Sequence, residues 1–165
     1  MSVRVGADGV PMLVLTSLKS GESRSLLYVQ RSGWVMWAPD SARFVFSDAA
    51  FSNHYFIRVC SAAASATRCQ DFSQVLESRL RESLSSDSKL DKIYLKALSW
   101  DSPSELLVGA HFVSFREAET RGNYTAVHWH FRAYVLDIVT GRVLLVLDEA
   151  AARRRIGRPL DSLQW

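Results

Sequence analysis

Cysteine is scarce in this chain, with two in 165 residues. No Cys-x-x-Cys pair is present, so a four-cysteine zinc site is excluded. Long apolar runs are missing too. None approaches the roughly 18 residues that a membrane-spanning helix needs, so membrane insertion is not expected. The start, MSVRVGADGVPM, has no apolar core followed by a small-residue cleavage site, so any export leader would have been removed ahead of Met1. The signatures of nucleotide and acyl chemistry are absent as well: no G-x-S-x-G, no P-loop and no G-x-G-x-x-G. These absences leave no catalytic group and no cofactor to assign, and the expectation is a protein that is not an enzyme.

The composition is that of an ordinary globular domain, with 48% hydrophobic and 22% charged residues. The length suits one domain with a real core. Net charge is +3, and much of the basicity lies in RRRIGR (Arg153–Arg158). No nucleic-acid motif accompanies that run, so it reads as a solvated tail and no nucleic-acid partner is expected. Cys60 and Cys69 bracket CSAAASATRC, whose small residues would let the thiols meet. The pair reads as a disulfide, with two buried thiols as the alternative. A bridge closing so short a loop would contribute about 2–3 kcal/mol. It would also place the protein in an oxidising compartment such as a bacterial periplasm.

What is present is mostly strand signal. MLVLTSL (Met12–Leu18) and SLLYVQ (Ser25–Gln30) flank the turn KSGES and predict a hairpin. WVMW (Trp34–Trp37) runs into Pro39-Asp40-Ser41. Proline presets φ there, and Asp40 can accept from the backbone ahead, so a tight turn is expected. RFVFS (Arg43–Ser47) and HYFIRVC (His54–Cys60) follow. Further strands are predicted over Lys92–Trp100, Glu105–Val113, Thr125–Asp137 and Arg142–Asp148. One helix is predicted over Phe72–Leu84. Its apolar stripe is Phe72, Val75, Leu76, Leu80 and Leu84, its capping box Asp71 with Gln74, and its wet-face pair Glu77 with Arg81. Glu149 onward predicts a helical turn and a loose tail.

The chain repeats itself. Trp37-Ala38-Pro39-Asp40-Ser41 and Trp100-Asp101-Ser102-Pro103-Ser104 begin 63 residues apart, and each joins a strand to a second apolar strand. This pattern resembles the blades of WD40-like and TolB-like β-propellers, in which a Trp-x-Pro-Asp-Gly turn joins the first two strands. Serine stands where that glycine is usual, and the second copy has Asp and Pro out of order. A closed propeller typically takes four to eight blades, more than this chain holds. The resemblance therefore implies an all-β fold with one helix: two antiparallel meander sheets, packed as a truncated, two-bladed propeller or sandwich. The expected divisions of the single domain 1–165 are a hairpin (1–33), a first blade (34–69), helix and linker (70–91), a second blade (92–148) and a tail (149–165).

Candidate functional residues fall in three places. His128 and His130 share one face of a strand with Arg132 and Tyr134, opposite Trp129, Phe131, Ala133 and Val135. The histidine face is either a polar outer surface or a metal or small-ligand site short of a third ligand. SFREAETRGNY (Ser114–Tyr124) is long for a hairpin connection and mixes aromatic and charged residues, a composition suited to a protein contact. Its candidate contacts are Ser114, Phe115, Arg116, Glu117, Asn123 and Tyr124. DAAFSNH (Asp48–His54) adds Asp48, Phe51 and Asn53. If the two meanders share an orientation, both loops emerge at one end.

Size, blade pattern and cysteine pair together resemble the periplasmic immunity proteins that neutralise type VI secreted cell-wall amidases. Some of these toxin–antitoxin partners look like truncated propellers, and an exposed loop enters the toxin's catalytic cleft. The resemblance implies a non-enzymatic inhibitor of a cognate effector hydrolase, with Ser114–Tyr124 as the plug. An assembly module that completes a sheet with another chain is the further alternative, and the sequence leaves the oligomeric state open.

Overall fold

Period-two alternation sorts the strand Arg43–Asp48 into two faces, and each face finds a different neighbour. The computed structural model describes residues 2–5, 9–52, 54–63, 69–84, 88–116 and 128–157. Three antiparallel meanders follow one another along the chain, each with its strands in chain order. The first holds β1 (Ser2–Val5), β2 (Pro11–Thr16) and β3 (Ser23–Tyr28). The second holds β4 (Gly33–Trp37), β5 (Arg43–Asp48), β6 (Phe56–Ser61) and β7 (Cys69–Asp71). The third holds β8 (Ser88–Trp100), β9 (Glu105–Arg116), β10 (His128–Asp137) and β11 (Arg142–Leu147). Helix α1 (Ser73–Glu82) lies between the second and third, and α2 (Glu149–Ile156) follows β11.

The all-β reading therefore holds, and both repeated segments form meanders. Three elements go beyond it. Strand β1 turns the N-terminal hairpin into a sheet of its own, β7 extends the second sheet, and the expected helical turn after Asp148 is a two-turn helix. Asp148 caps that helix by accepting from the Ala151 amide at 2.7 Å, and Gly157, with φ +69°, ends it.

Phe44 and Phe46 of β5, with Cys60 of β6, pack on Leu13 of the first sheet and on Val29, which follows β3. Val45, Ile57 and Val59 point the other way, onto Ile93, Leu95, Val108 and Phe112 of the third sheet. Helix α1 closes the same core with Leu76 and Leu80. The far side of the third sheet buries Leu98, Leu107, Ala133 and Val135 under Ala152 and Ile156 of α2. Each fully buried Leu, Ile, Val or Phe among them contributes about 1.5–3 kcal/mol. Polar links register the seam between the second and third sheets. The Ala97 amide donates to the Ser47 hydroxyl (3.0 Å), the Tyr55 amide to the Ile93 carbonyl (2.9 Å) and the Trp100 indole to the Met36 carbonyl (3.3 Å).

The alternation expected in β10 is real, but among the described side chains of its second face only Arg132 is exposed. His130 stacks on Phe112, and Tyr134 is fully buried in the main core, which pushes its phenol up to about 12. Alternation reveals which residues share a face. It is silent on whether both faces are covered, and here the second sheet and α1 cover one while α2 covers the other.

The helix also departs in detail. It spans Ser73–Glu82 with Phe72 as N-cap, and the capping box does not form. Asp71 instead accepts from the Ser73 amide at 2.8 Å. Glu77 pairs with His54 at 2.7 Å rather than with Arg81, because α1 lies across the seam where the segment before β6 offers a partner.

The two Trp-led turns close differently. In the first, Asp40 accepts from the Ala42 amide (2.9 Å), and Ser41 adopts φ +55°, the left-handed conformation that glycine favours. In the second, the Ser102 hydroxyl accepts from the Ser104 and Glu105 amides, which frees Asp101 to hold Arg155 of α2 at 2.8 Å.

Cys60 and Cys69 sit directly opposite each other in the β6–β7 pair and are joined as a disulfide, with Cα atoms 4.0 Å apart. Two outcomes follow. Replacing both cysteines by alanine should lower the unfolding free energy by about 2–3 kcal/mol, read from denaturant curves; unchanged curves would mean that the sheet holds this edge without the bond. Ser41→Gly should raise stability by about 0.5 kcal/mol, because relief of left-handed strain exceeds the extra chain entropy of glycine. A lower melting temperature would contradict that.

Candidate functional site

Tyr94 in β8, His111 in β9 and Trp129 in β10 lie on the α2 side of the third sheet, past the area that the helix covers. Their rings touch in sequence. Trp129 is 4.5 Å from His111 and 6.0 Å from Tyr94, nearly parallel to the latter. Tyr94 meets Tyr55 edge-on at 4.8 Å, and Tyr55 meets Trp34 at 6.0 Å. Lys96 places its ammonium 4.4 Å above the Trp34 ring. The strip thus crosses the seam from the third sheet to the second. Tyr55 reaches it because its amide pairs with the edge of β8, and the Tyr94 hydroxyl donates to the Ser52 carbonyl at 3.1 Å.

A second aromatic group adjoins it. Phe56 contacts Phe51 and His54, and the Arg58 guanidinium lies 5.5 Å from its ring. Trp129 is 50% exposed and Phe51 49%. The loop from Ala49 to Tyr55 and the strand ends at Arg116 and His128 lie at this same end, as a shared orientation of the two meanders requires.

The electrostatics are local. Asp48 is buried beneath the loop and bonded to Arg58 at 2.8 Å. Burial pushes its carboxyl above the ordinary value; Arg58 pulls it back, and Asp71 adds to the rise. Burial likewise lowers His111, with Glu149 of α2 acting in opposition.

The residues expected to meet a partner are placed unequally. Phe51 is exposed as expected. Asp48, expected at the surface, is 1% exposed and spent on Arg58. Ser114 is buried too, and its hydroxyl lies 2.8 Å from His130 Nε2. The reason is that β9 continues through Arg116, so Ser114, Phe115 and Arg116 are strand rather than loop. Phe115 is half-buried opposite Lys89. Asn53, Glu117, Asn123 and Tyr124 lie outside the described residues, as do the side chains of Arg116 and His128.

Of the histidine strand, His130 turns inward to Ser114 and Phe112, and Arg132 is exposed and bonds the Phe131 carbonyl. Among the described residues, no group of three His, Cys, Asp or Glu is placed to hold a metal ion. A cleft of about 850 Å³ opens at the opposite end of the second sheet, between Leu15, Leu18, Arg24 and Trp37. Arg24 there is already bonded to the carbonyls of Ala62 and Ala63.

Sequence reasoning did not single out Trp34, Tyr55, Tyr94 or Trp129 as a surface. Aromatics in strands ordinarily signal core, and α2 stops short of Tyr94 and Trp129 on the third sheet. Comparison with known proteins returns no match: no family model fits the chain, and no curated protein or solved structure is similar to it.

The lowered His111 has a consequence for stability. In the unfolded chain, histidine takes up a proton near pH 6.5, whereas in the fold His111 resists until lower pH. Stability present above pH 6.5 is therefore lost as pH falls through the folded value. Thermal melts from pH 7.5 down to 5 should show this decline, and His111→Tyr should flatten it. An equally steep decline in the variant would assign the effect elsewhere.

Proposed function

We propose that this chain is a non-enzymatic protein-binding module whose aromatic end docks onto a partner. More narrowly, we propose an immunity or inhibitor protein that blocks the active site of a cognate secreted cell-wall hydrolase of the amidase type. The observation that carries the reading is the half-exposed Trp129, stacked in one strip with the less exposed Tyr94 and His111, with the half-exposed Phe51 nearby. Interface cores are built from such aromatic surface, ringed by polar groups that exclude water. Strand-borne rings also lose little conformational entropy on binding. The disulfide is compatible with an oxidising periplasm. The narrower identity, a periplasmic member of a type VI toxin–antitoxin pair, draws its support from the resemblance of the repeated turns and the cysteine pair.

In this reading inhibition is occlusion and involves no covalent step. The segment between β9 and β10 enters the hydrolase cleft. Phe115, Arg116, Glu117, Asn123 and Tyr124 supply contacts, Ser114 anchors the base through His130, and Phe51 and Asn53 flank the entry. Trp129 and Tyr94 seal the rim.

Capture of the tagged protein's partners from an extract of its own organism, with mass spectrometry, tests this first. One stoichiometric hydrolase is expected, and its cleavage of peptidoglycan should stop on addition of the protein. Trp129→Ala and Phe51→Ala should each weaken that complex by about tenfold or more without lowering the melting temperature. Replacing residues 117–123 by a short flexible linker should abolish inhibition. Recovery of no specific partner, or full inhibition by the linker variant, would overturn the proposal.

A further inference from the structure

The most apolar uncovered surface outside the docking end is β11. It is the terminal strand of the third sheet, and among the described residues it pairs only with β10. Leu144, Leu145 and Val146 are 47%, 49% and 55% exposed, three consecutive residues that present apolar surface to both sides of the sheet. Val143 and Leu147 are only half-buried. An edge strand is ordinarily guarded by charge, proline or cover, because its open backbone groups template pairing with another chain. The run RVLLVL has no charge after Arg142 and no proline, and its one irregularity is a bulge at Leu144, where the register with β10 shifts between Val135↔Leu145 and Leu136↔Val143. Helix α1 touches this strand from one face and α2 from the other, and among the described residues no strand lies against its second edge in the plane of the sheet.

The ends of the run are charged and complementary. Arg142 begins the strand and Asp148 follows it, with a five-residue apolar stretch between them. Two copies laid antiparallel with Leu145 opposite Leu145 bring Val143 against Leu147 and Leu144 against Val146. The same register sets Arg142 of each copy opposite Asp148 of the other, one ion pair at each end. Asp148 gives one oxygen to the α2 cap and retains the other for such a pair. The arrangement is isologous and closes after two copies.

We propose that β11 is a self-association edge, through which a second copy of this chain pairs antiparallel about a two-fold axis at Leu145 to form a continuous eight-stranded sheet. The surface lies apart from the aromatic end, and the inference does not rest on the reading of that end.

Sedimentation velocity of the full chain at micromolar concentration tests it. A species of twice the chain mass is expected, and Leu145→Lys, which sets two like charges face to face on the axis, should return it to monomer. Leu145 is half-exposed, so the fold tolerates the change, and an unaltered circular dichroism spectrum checks this. Leu145→Cys should form an intermolecular disulfide on mild oxidation, whereas Arg142→Cys should not cross-link to itself. A monomeric wild type overturns the proposal. So does a dimer that survives Leu145→Lys and gives no Leu145→Cys cross-link. A chain that dimerises only after removal of residues 158–165 would assign the edge to its own tail and overturn it as well. Partner capture through the aromatic end reads independently of each result.

Discussion

Val45, Ile57 and Val59 interlocked with Ile93, Leu95 and Val108 form the contact on which the rest of the structure depends. The second sheet is the middle layer, and one of its faces must be satisfied by the third sheet before the other can hold the first. No single hydrogen bond across that seam is worth more than about 1 kcal/mol net. The apolar burial on both sides supplies the bulk of the stabilisation, and the polar links from Ser47, Tyr55 and Trp100 set the register in which it occurs. Helix α1 completes this core instead of standing apart from it, and its outward Glu77 is consequently drawn to His54 at the seam.

The aromatic strip is a by-product of the same packing. Once the Tyr55 amide pairs with the edge of β8, residues from two sheets become neighbours on one surface. Trp34 and Lys96, distant in sequence, then stack, and Tyr94 bridges to Trp129. Helix α2 is short, and its Arg155 is tethered to Asp101, at the far end of β8 from Tyr94. It therefore covers Leu98, Leu107, Ala133 and Val135 and leaves the other end of the sheet bare. Among the described residues near that end, Asp48 is engaged with Arg58 and Glu77 with His54.

Much of the fold was legible because its signals are local. The hairpins, the repeated Trp-led turns and the apolar stripe of α1 follow from neighbouring residues, and the structure reproduces them with boundaries moved by a few positions. Ser41 shows how local a signal can be: the position where glycine was missed adopts a left-handed φ. The candidate site was far less legible. Phe51 was named, but Ser114 and Asp48 turned inward, because a strand longer than expected and a buried arginine claimed them. Strands β1 and β7 were missed because short edge segments carry almost no period.

The sequence by itself determined the all-β class, the meander connectivity and the helix between the two repeats, since each needs only spacing and side-chain type over about ten residues; it left Cys60 and Cys69 as a disulfide or two thiols, and their placement opposite each other in the β6–β7 pair decided for the bond. Tertiary structure alone decided which faces are covered. Period-two alternation states that His130 and Tyr134 oppose Trp129 and Ala133, but both sets are apolar enough to be buried. The layer that arrives on each side chooses between core and surface. That choice made Tyr134 core, left Trp129 half in solvent and opened β11 at the edge, because burial is a property of the neighbours that the chain brings together.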